Sequence, residues 1–217
     1  MKQTTVIFDL DGTLLNTIAD LGAAVNYVLE AHGFKTHDMA SYKMMVGRGM
    51  RNLVKAALPP EKSKDDATVD KCLKEFFDYY MENIDRYTVP YPGIPELVKQ
   101  LQEEGYKLAV ASNKLQKGTE KLIREFFPDI DFVAVCGNCP EYPLKPDPAL
   151  VQYIINKAGT QSTIMIGDSD IDIRTAHNAG IPVIAATWGF RPKENLKEAD
   201  FIVDTPDEIK QILNNTF

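Results

Sequence analysis

The sequence predicts an α/β protein: a Rossmann-like parallel sheet with helices on both faces, plus a small all-helical block inserted after the first strand. Three observations predict it. Short β-branched runs alternate with amphipathic segments along most of the 217 residues. The amphipathic segments stop at glycines, as helices do when a left-handed residue closes the last turn. One long stretch, roughly residues 17–89, interrupts the alternation and offers no strand candidate. Repeated strand–helix–strand units imply a parallel sheet covered on both faces, and a purely helical stretch within them reads as an insertion.

Thr4–Phe8 is the first strand-like run, followed by Tyr106–Ala111, Asp131–Cys136, Thr163–Gly167, Ile181–Ala186 and Phe201–Val203. Among the helical segments, Pro95–Glu104 ends at Gly105, Pro148–Ala158 at Gly159 and Ile171–Ala179 at Gly180. The inserted block opens on Thr17–Asp20, which has the spacing of a capping box. Its first helix runs to about Ala31 and stops at Gly33. Further helices are predicted over Asp38–Met45, Met50–Leu58 and Asp65–Arg86, and Pro90, Pro92 and Gly93 mark the return. The chain thus divides into a core of residues 1–16 and 90–217 and a helical cap of residues 17–89.

Apolar residues make up 44% of the chain and charged residues 25%, as in ordinary globular proteins. The net charge of -7 repels nucleic acid and anionic membranes, so neither is an expected partner. No run approaches the roughly 18–20 apolar residues that span a bilayer, and the N-terminal segment lacks a signal-peptide core. A cytoplasmic protein is expected, as a monomer or weak homodimer. Cys72, Cys136 and Cys139 are too few, and odd in number, for a disulfide framework. An anionic substrate would need a metal ion or a few placed cations to overcome the overall charge.

Three strand-like runs end in reactive polar groups: Asp9, Asp11 and Thr13 after the first, Ser112, Asn113 and Lys114 after the second, and Asp168, Asp170 and Asp172 after Gly167. Open parallel sheets bind ligands outside the carboxyl ends of their strands, where these groups would converge. Lys145, just before a predicted helix, can approach the same rim. Asp9 and Asp11 lie two apart in extended chain and point to one side. With Asp168 and Asp172 they form a crowd of carboxylates that demands a cation. An oxygen-only donor set suits a hard ion, and Mg²⁺ suits a site shared with phosphate. Lys145 supplies fixed positive charge, Ser112 and nearby N–H groups supply neutral donors, and Gly12 allows a tight turn beside the ligand.

These segments, Asp9–Thr17, Ser112-Asn113, Lys145-Pro146 and Gly167–Asp172, resemble the four ordered motifs of the haloacid dehalogenase superfamily phosphatases. The resemblance covers essentially the whole chain, because the helical block sits where that family inserts a cap. It implies that Asp9 is the nucleophile and a magnesium ligand. It implies that Asp11 is the general acid/base and binds the metal through its carbonyl. Ser112 would bind the phosphoryl group together with Asn113, Gly12 and Thr13, Lys145 would steady it, Asp168 would ligate the metal, and Asp172 would ligate or support it. An acid at Asp11 favours phosphate esters over the substrates of the family's dehalogenases and phosphonate hydrolases. Tyr91–Gly93, Thr187–Phe190 and Val46–Gly49 resemble phosphoglycolate phosphatases, whereas Cys136–Lys145 lacks the Gly-Asp common there. A small phosphorylated metabolite, 2-phosphoglycolate foremost, is the expected substrate, with Arg48 expected to hold its second anion. A phosphoryl mutase using Arg48 or Arg51 in the cap stays open, as do another sugar-phosphate or pyrophosphate phosphatase and a non-catalytic phosphate sensor. Cys136 and Cys139 have Cys-x-x-Cys spacing without a second pair and are read as incidental or packing residues; His32, His37 and His177 lie at a helix end, in a loop and within a helix and are read as structural or solvated.

Overall fold

The structure, a computed structural model, describes residues 3–216; the outer ends of the expected core, at residues 1, 2 and 217, lie outside the described residues. Six parallel strands form the main sheet: β1 (Thr4–Phe8), β4 (Lys107–Leu115), β5 (Phe132–Asn138), β6 (Ser162–Gly167), β7 (Val183–Ala186) and β8 (Phe201–Val203). Their order is β5-β4-β1-β6-β7-β8, so β1 lies in the interior between β4 and β6. Alternate residues of β1 feed opposite faces. Val6 and Phe8 join one apolar cluster and Ile7 the other, and all three are fully buried. Helices α7 (Ala149–Ala158) and α8 (Asp170–Ala179) cover the Ile7 face. Helices α5 (Ile94–Glu103), α6 (Gln116–Phe126) and α9 (Pro206–Thr216) cover the other. The sequence reading had placed neither α6 nor α9.

Between β1 and α5 the chain forms α1 (Ile18–Ala31), α2 (Met39–Met45), α3 (Met50–Ala57) and α4 (Asp66–Asn83). Their apolar faces, including Leu21, Val25, Tyr42, Leu53 and Phe76, belong to the same cluster as Val6 and Phe8. Two short strands were not expected. β2 (Leu15–Asn16) and β3 (Val89–Pro90) pair antiparallel where the chain leaves for the helices and where it returns.

The capping box expected at Thr17–Asp20 does not form: Thr17 makes no side-chain cap at α1. Its hydroxyl instead donates to Asp11 Oδ1 at 2.6 Å. The buried Asp20 carboxylate accepts from Tyr87 N–H, Thr88 N–H and the Thr88 hydroxyl at 2.8–3.0 Å. Two returning N–H groups with no ladder partner compete for the carboxylate and win it. A true capping box lies at Ser169 and Asp172 on α8 instead. The second expected strand, Tyr106–Ala111, is longer than predicted. β4 continues to Leu115, with its pairing to β5 shifted between Ala111 and Leu115. Such an irregularity re-aims side chains, and Ser112, Asn113 and Lys114 lie within it.

Candidate active site

At the carboxyl end of β1 the Asp9 N–H still donates to the Ile166 carbonyl at 2.8 Å, which holds the residue in register with β6. The Leu10 carbonyl then accepts from Thr13, Leu14 and Leu15 N–H, coiling the chain into a tight turn. Gly12 makes that turn at φ 94°, and a Cβ there would overlap the Asp168 carboxylate. Only glycine satisfies both demands.

Lys145 lies beneath this turn, 4% exposed. Its ammonium donates to Asp9 Oδ1 at 2.8 Å, Asp172 Oδ1 at 2.6 Å and the Ala111 carbonyl at 2.8 Å. All three N–H groups are therefore used. The other Asp172 oxygen accepts from the Ser169 hydroxyl at 2.6 Å, so Asp172 is gripped from both sides. Asp168 Oδ2 accepts from Phe190 N–H at 2.6 Å.

Oxygens of Asp9, Asp168 and Asp172 all lie within 4.8 Å of one another, and all three residues are buried. Burial, opposed by Lys145 and reinforced by Asp172 and Asp168, pushes the Asp9 carboxyl well above its usual range. Burial and then Asp172 push Asp168 up to about 7, against Phe190 N–H, Arg191 and Lys145. Lys145 is pulled the other way: burial opposes its charge, but Asp172 and Asp9 hold it above the ordinary lysine value. Three carboxylates facing one ammonium, with two of them strained toward protonation, fit a divalent cation of hard, oxygen-seeking character.

Asp11 stands outside that group of three but lines the same crevice. Its Oδ1 accepts from Thr17 Oγ1 at 2.6 Å and from Lys114 Nζ at 2.9 Å. The Lys114 side chain is fully buried, also donates to the Tyr80 hydroxyl on α4 at 2.5 Å, and lies 4.8 Å from that ring's centroid. In the sequence Lys114 is one of the strand-end polar groups, with no role of its own. Its one signal there was the apolar Leu115 after it, which betrays a strand that has not ended. Ser112 is 2% exposed and lines the crevice, its Oγ accepting from Lys114 N–H at 3.2 Å. The Asn113 amide is engaged with backbone: it donates to the Lys145 and Gly47 carbonyls at 3.0 Å each and accepts from Lys145 N–H at 2.8 Å. It buttresses Lys145 and reaches across to the helical block. Thr13 is fully buried, and its hydroxyl has no hydrogen-bond partner among the described residues.

The crevice is about 470 Å³ of atom-free space, part of it open to solvent. Asp9, Ser112 and Lys145 line it from the sheet, and Gly47, Met50 and Leu53 from the helices. The Arg48 side chain is 63% exposed and does not line it; Arg48 Nη2 lies 3.8 Å from Asp170 Oδ2. Arg51 is held outside by Asp66 at 2.8 Å and Asp70 at 3.1 Å. Arg191, which the sequence reading did not single out, does line the crevice and is 5% exposed. Burial pushes the Cys136 thiol up to about 11, which leaves no thiolate there near neutral pH. No helix among the described residues is long and apolar enough to cross a membrane.

The family model of the haloacid dehalogenase-like hydrolases matches residues 6–186. A phosphoglycolate phosphatase of Mesorhizobium japonicum is 36% identical over 193 residues, covering 88% of this chain and 85% of that one. Another, from Aquifex aeolicus, is 30% identical over 97% of this chain and 96% of its own. The crystal structure of a putative phosphoglycolate phosphatase from Lactobacillus delbrueckii subsp. bulgaricus superposes with a TM-score of 0.87 at 34% identity, covering 98% of this chain and 99% of that one.

Proposed function

The chain belongs to the haloacid dehalogenase-like hydrolases and is a phosphatase, and we propose that it hydrolyses a small phosphorylated metabolite, 2-phosphoglycolate foremost, through a phosphoaspartate at Asp9. The observation that carries this reading is the buried Asp9 carboxylate at the end of β1. It is 2.8 Å from Lys145 and shares one crevice with Asp168 and Asp172.

In the first step an Asp9 oxygen attacks phosphorus, and the bond from phosphorus to the ester oxygen breaks. Asp11 gives its proton to the departing alkoxide, and Thr17 and Lys114 orient the carboxyl for that transfer. In the second step Asp11 takes a proton from water, the water oxygen bonds to phosphorus, and Asp9 is released with inorganic phosphate. Ser112 and the N–H groups of Leu10 and Asp11, ahead of the internally bonded part of the turn, donate to phosphoryl oxygens, and Lys145 offsets the charge that gathers on them. Asp9, Asp168 and the Asp11 carbonyl, with Asp172 in support, would hold Mg²⁺, which would supply further positive charge to the crevice. The helices of residues 17–89 serve as a cap that excludes water from the crevice.

The test is release of free phosphate from 2-phosphoglycolate and from an aryl phosphate, with Mg²⁺ and with EDTA. Turnover is expected only with metal, and none for Asp9→Asn at wild-type folding. Substantial turnover by Asp9→Asn would remove Asp9 as the nucleophile.

A further inference from the structure

Three arginines converge on one carboxylate beside the crevice. Asp170 Oδ2 lies 3.2 Å from Arg174 Nη2 and 3.8 Å from Arg48 Nη2, and Asp170 Oδ1 lies 3.9 Å from Arg191 Nε. The surplus of positive charge is harmless on Arg48 and Arg174, whose side chains are 63% and 49% exposed. Water solvates them. Arg191 is different, because its side chain is 4% exposed.

A buried cation ordinarily has a carboxylate in contact. The two buried lysines of this crevice obey that rule, Lys145 at 2.6 and 2.8 Å and Lys114 at 2.9 Å. Arg191 does not, since its Asp170 contact is beyond hydrogen-bond reach. Its Nη1 donates to the Lys43 carbonyl, and its Nη2 to the Val46 carbonyl at 2.5 Å. Both acceptors are neutral. A guanidinium has five N–H groups, so three remain, enough for a two-bonded grip on a planar anion. The 46–49 turn passes close to it: a Cβ on Gly47 would lie 3.3 Å from Nη2, and Gly47 and Gly49 have φ of 105° and 85°.

We propose that Arg191 binds the second anion of the substrate, a carboxylate near the phosphate, and so selects phosphorylated carboxylic acids over neutral phosphate esters. The proposal rests on the phosphatase reading above. It moves the selecting charge from the exposed Arg48 to a buried residue of the core loop after β7. Because Arg191 is bonded to the end of α2 and the residue after it, a bound carboxylate would also meet the side chain that joins the helical block to the sheet.

The test compares 2-phosphoglycolate with ethyl phosphate, which has a methyl group in place of the carboxylate. Arg191→Met should lower the ratio of their kcat/KM values at least tenfold, mainly through KM for phosphoglycolate, and Arg191→Lys should recover part of it. Arg48→Ala should change the ratio less. An unchanged ratio in Arg191→Met overturns the proposal. So does an equal loss on both substrates, which would make Arg191 a strut for the 43–46 segment, and so does a larger effect from Arg48→Ala. Calorimetric binding of 2-phosphoglycolate in the Asp9→Asn background separates the two readings. A tenfold loss of affinity on adding Arg191→Met supports the proposal even if the wild type releases no phosphate, an outcome that would count against the phosphatase reading alone.

Discussion

Lys114→Met tests whether the buried lysine exists to hold Asp11. Methionine nearly matches the chain length and fills irregular space, so the cavity contribution is small. What changes is charge. The Asp11 carboxylate, 9% exposed, keeps Thr17 as a donor but loses the ammonium at 2.9 Å, and the Tyr80 hydroxyl loses its donor at 2.5 Å. Removing one side of a buried ion pair costs about 3–5 kcal/mol, because the other charge stays buried. Native proteins have roughly 5–15 kcal/mol in hand, so the variant should fold, with a Tm lower by about 6–20 °C at roughly 2–4 °C per kcal/mol. The assay is urea unfolding in EDTA of the wild type, Lys114→Met, Asp11→Asn and the double variant. If the cost lies in the stranded carboxylate, Asp11→Asn relieves it, and the double variant should be more stable than the sum of the singles by about 2 kcal/mol or more. Costs that add to within about 0.5 kcal/mol would refute the reasoning.

Asp11→Asn should slow turnover by roughly 10²–10⁴ on alkyl phosphates and less on aryl phosphates, whose leaving groups need less protonation; an equal loss across a leaving-group series would deny Asp11 the acid role. Metal-free protein should lose stability as pH rises. Asp168, at about 7 in the fold against a usual 3.8, binds its proton more tightly folded than unfolded, so its contribution is present at pH 5 and gone by pH 8. The change is roughly 2–3 kcal/mol, with Asp9 adding in the same direction, and thermal melts in EDTA and in Mg²⁺ should show the metal's benefit growing with pH; a benefit independent of pH would contradict it. Asp20→Ala strands the partly buried Tyr87 N–H and the buried N–H and hydroxyl of Thr88 and should cost about 3 kcal/mol by urea titration; a loss under about 1 kcal/mol would mean water replaces the carboxylate.

The main sheet was legible because each strand of the core is an apolar run closed by a glycine or a polar cluster. Thr4–Phe8 and Phe201–Val203 were placed to the residue. β2 and β3 were not legible, since two residues carry no period. α6 begins straight after β4 with no capping side chain and holds Gly118, so nothing announces it. The candidate site divides along similar lines. Asp9, Lys145, Asp168 and Asp172 declare themselves as charges at strand or helix ends. Lys114 and Arg191 look like solvated cations in polar stretches, and only the packing of α4 and of the α2–α3 turn over them reveals burial. The Thr17–Asp20 and Ser169–Asp172 segments share one spacing pattern with different uses, because at Thr17 the tertiary partners Asp11, Tyr87 and Thr88 outcompete the local cap.

The β2–β3 ribbon has an evolutionary consequence. Because the outgoing and returning chains are hydrogen-bonded neighbours, the two ends of the insertion lie about 5 Å apart. Any polypeptide whose termini meet at that spacing could be spliced there without disturbing the register of β1. The helices over the crevice can therefore be exchanged as a cassette while the sheet, its strand-end carboxylates and Arg191 stay in place. The exchange is not free of constraint: Leu21, Val25, Tyr42, Leu53 and Phe76 share one continuous apolar cluster with Val6 and Phe8. A replacement cassette must bring a greasy underside of its own, or the bare platform will stick to its neighbours.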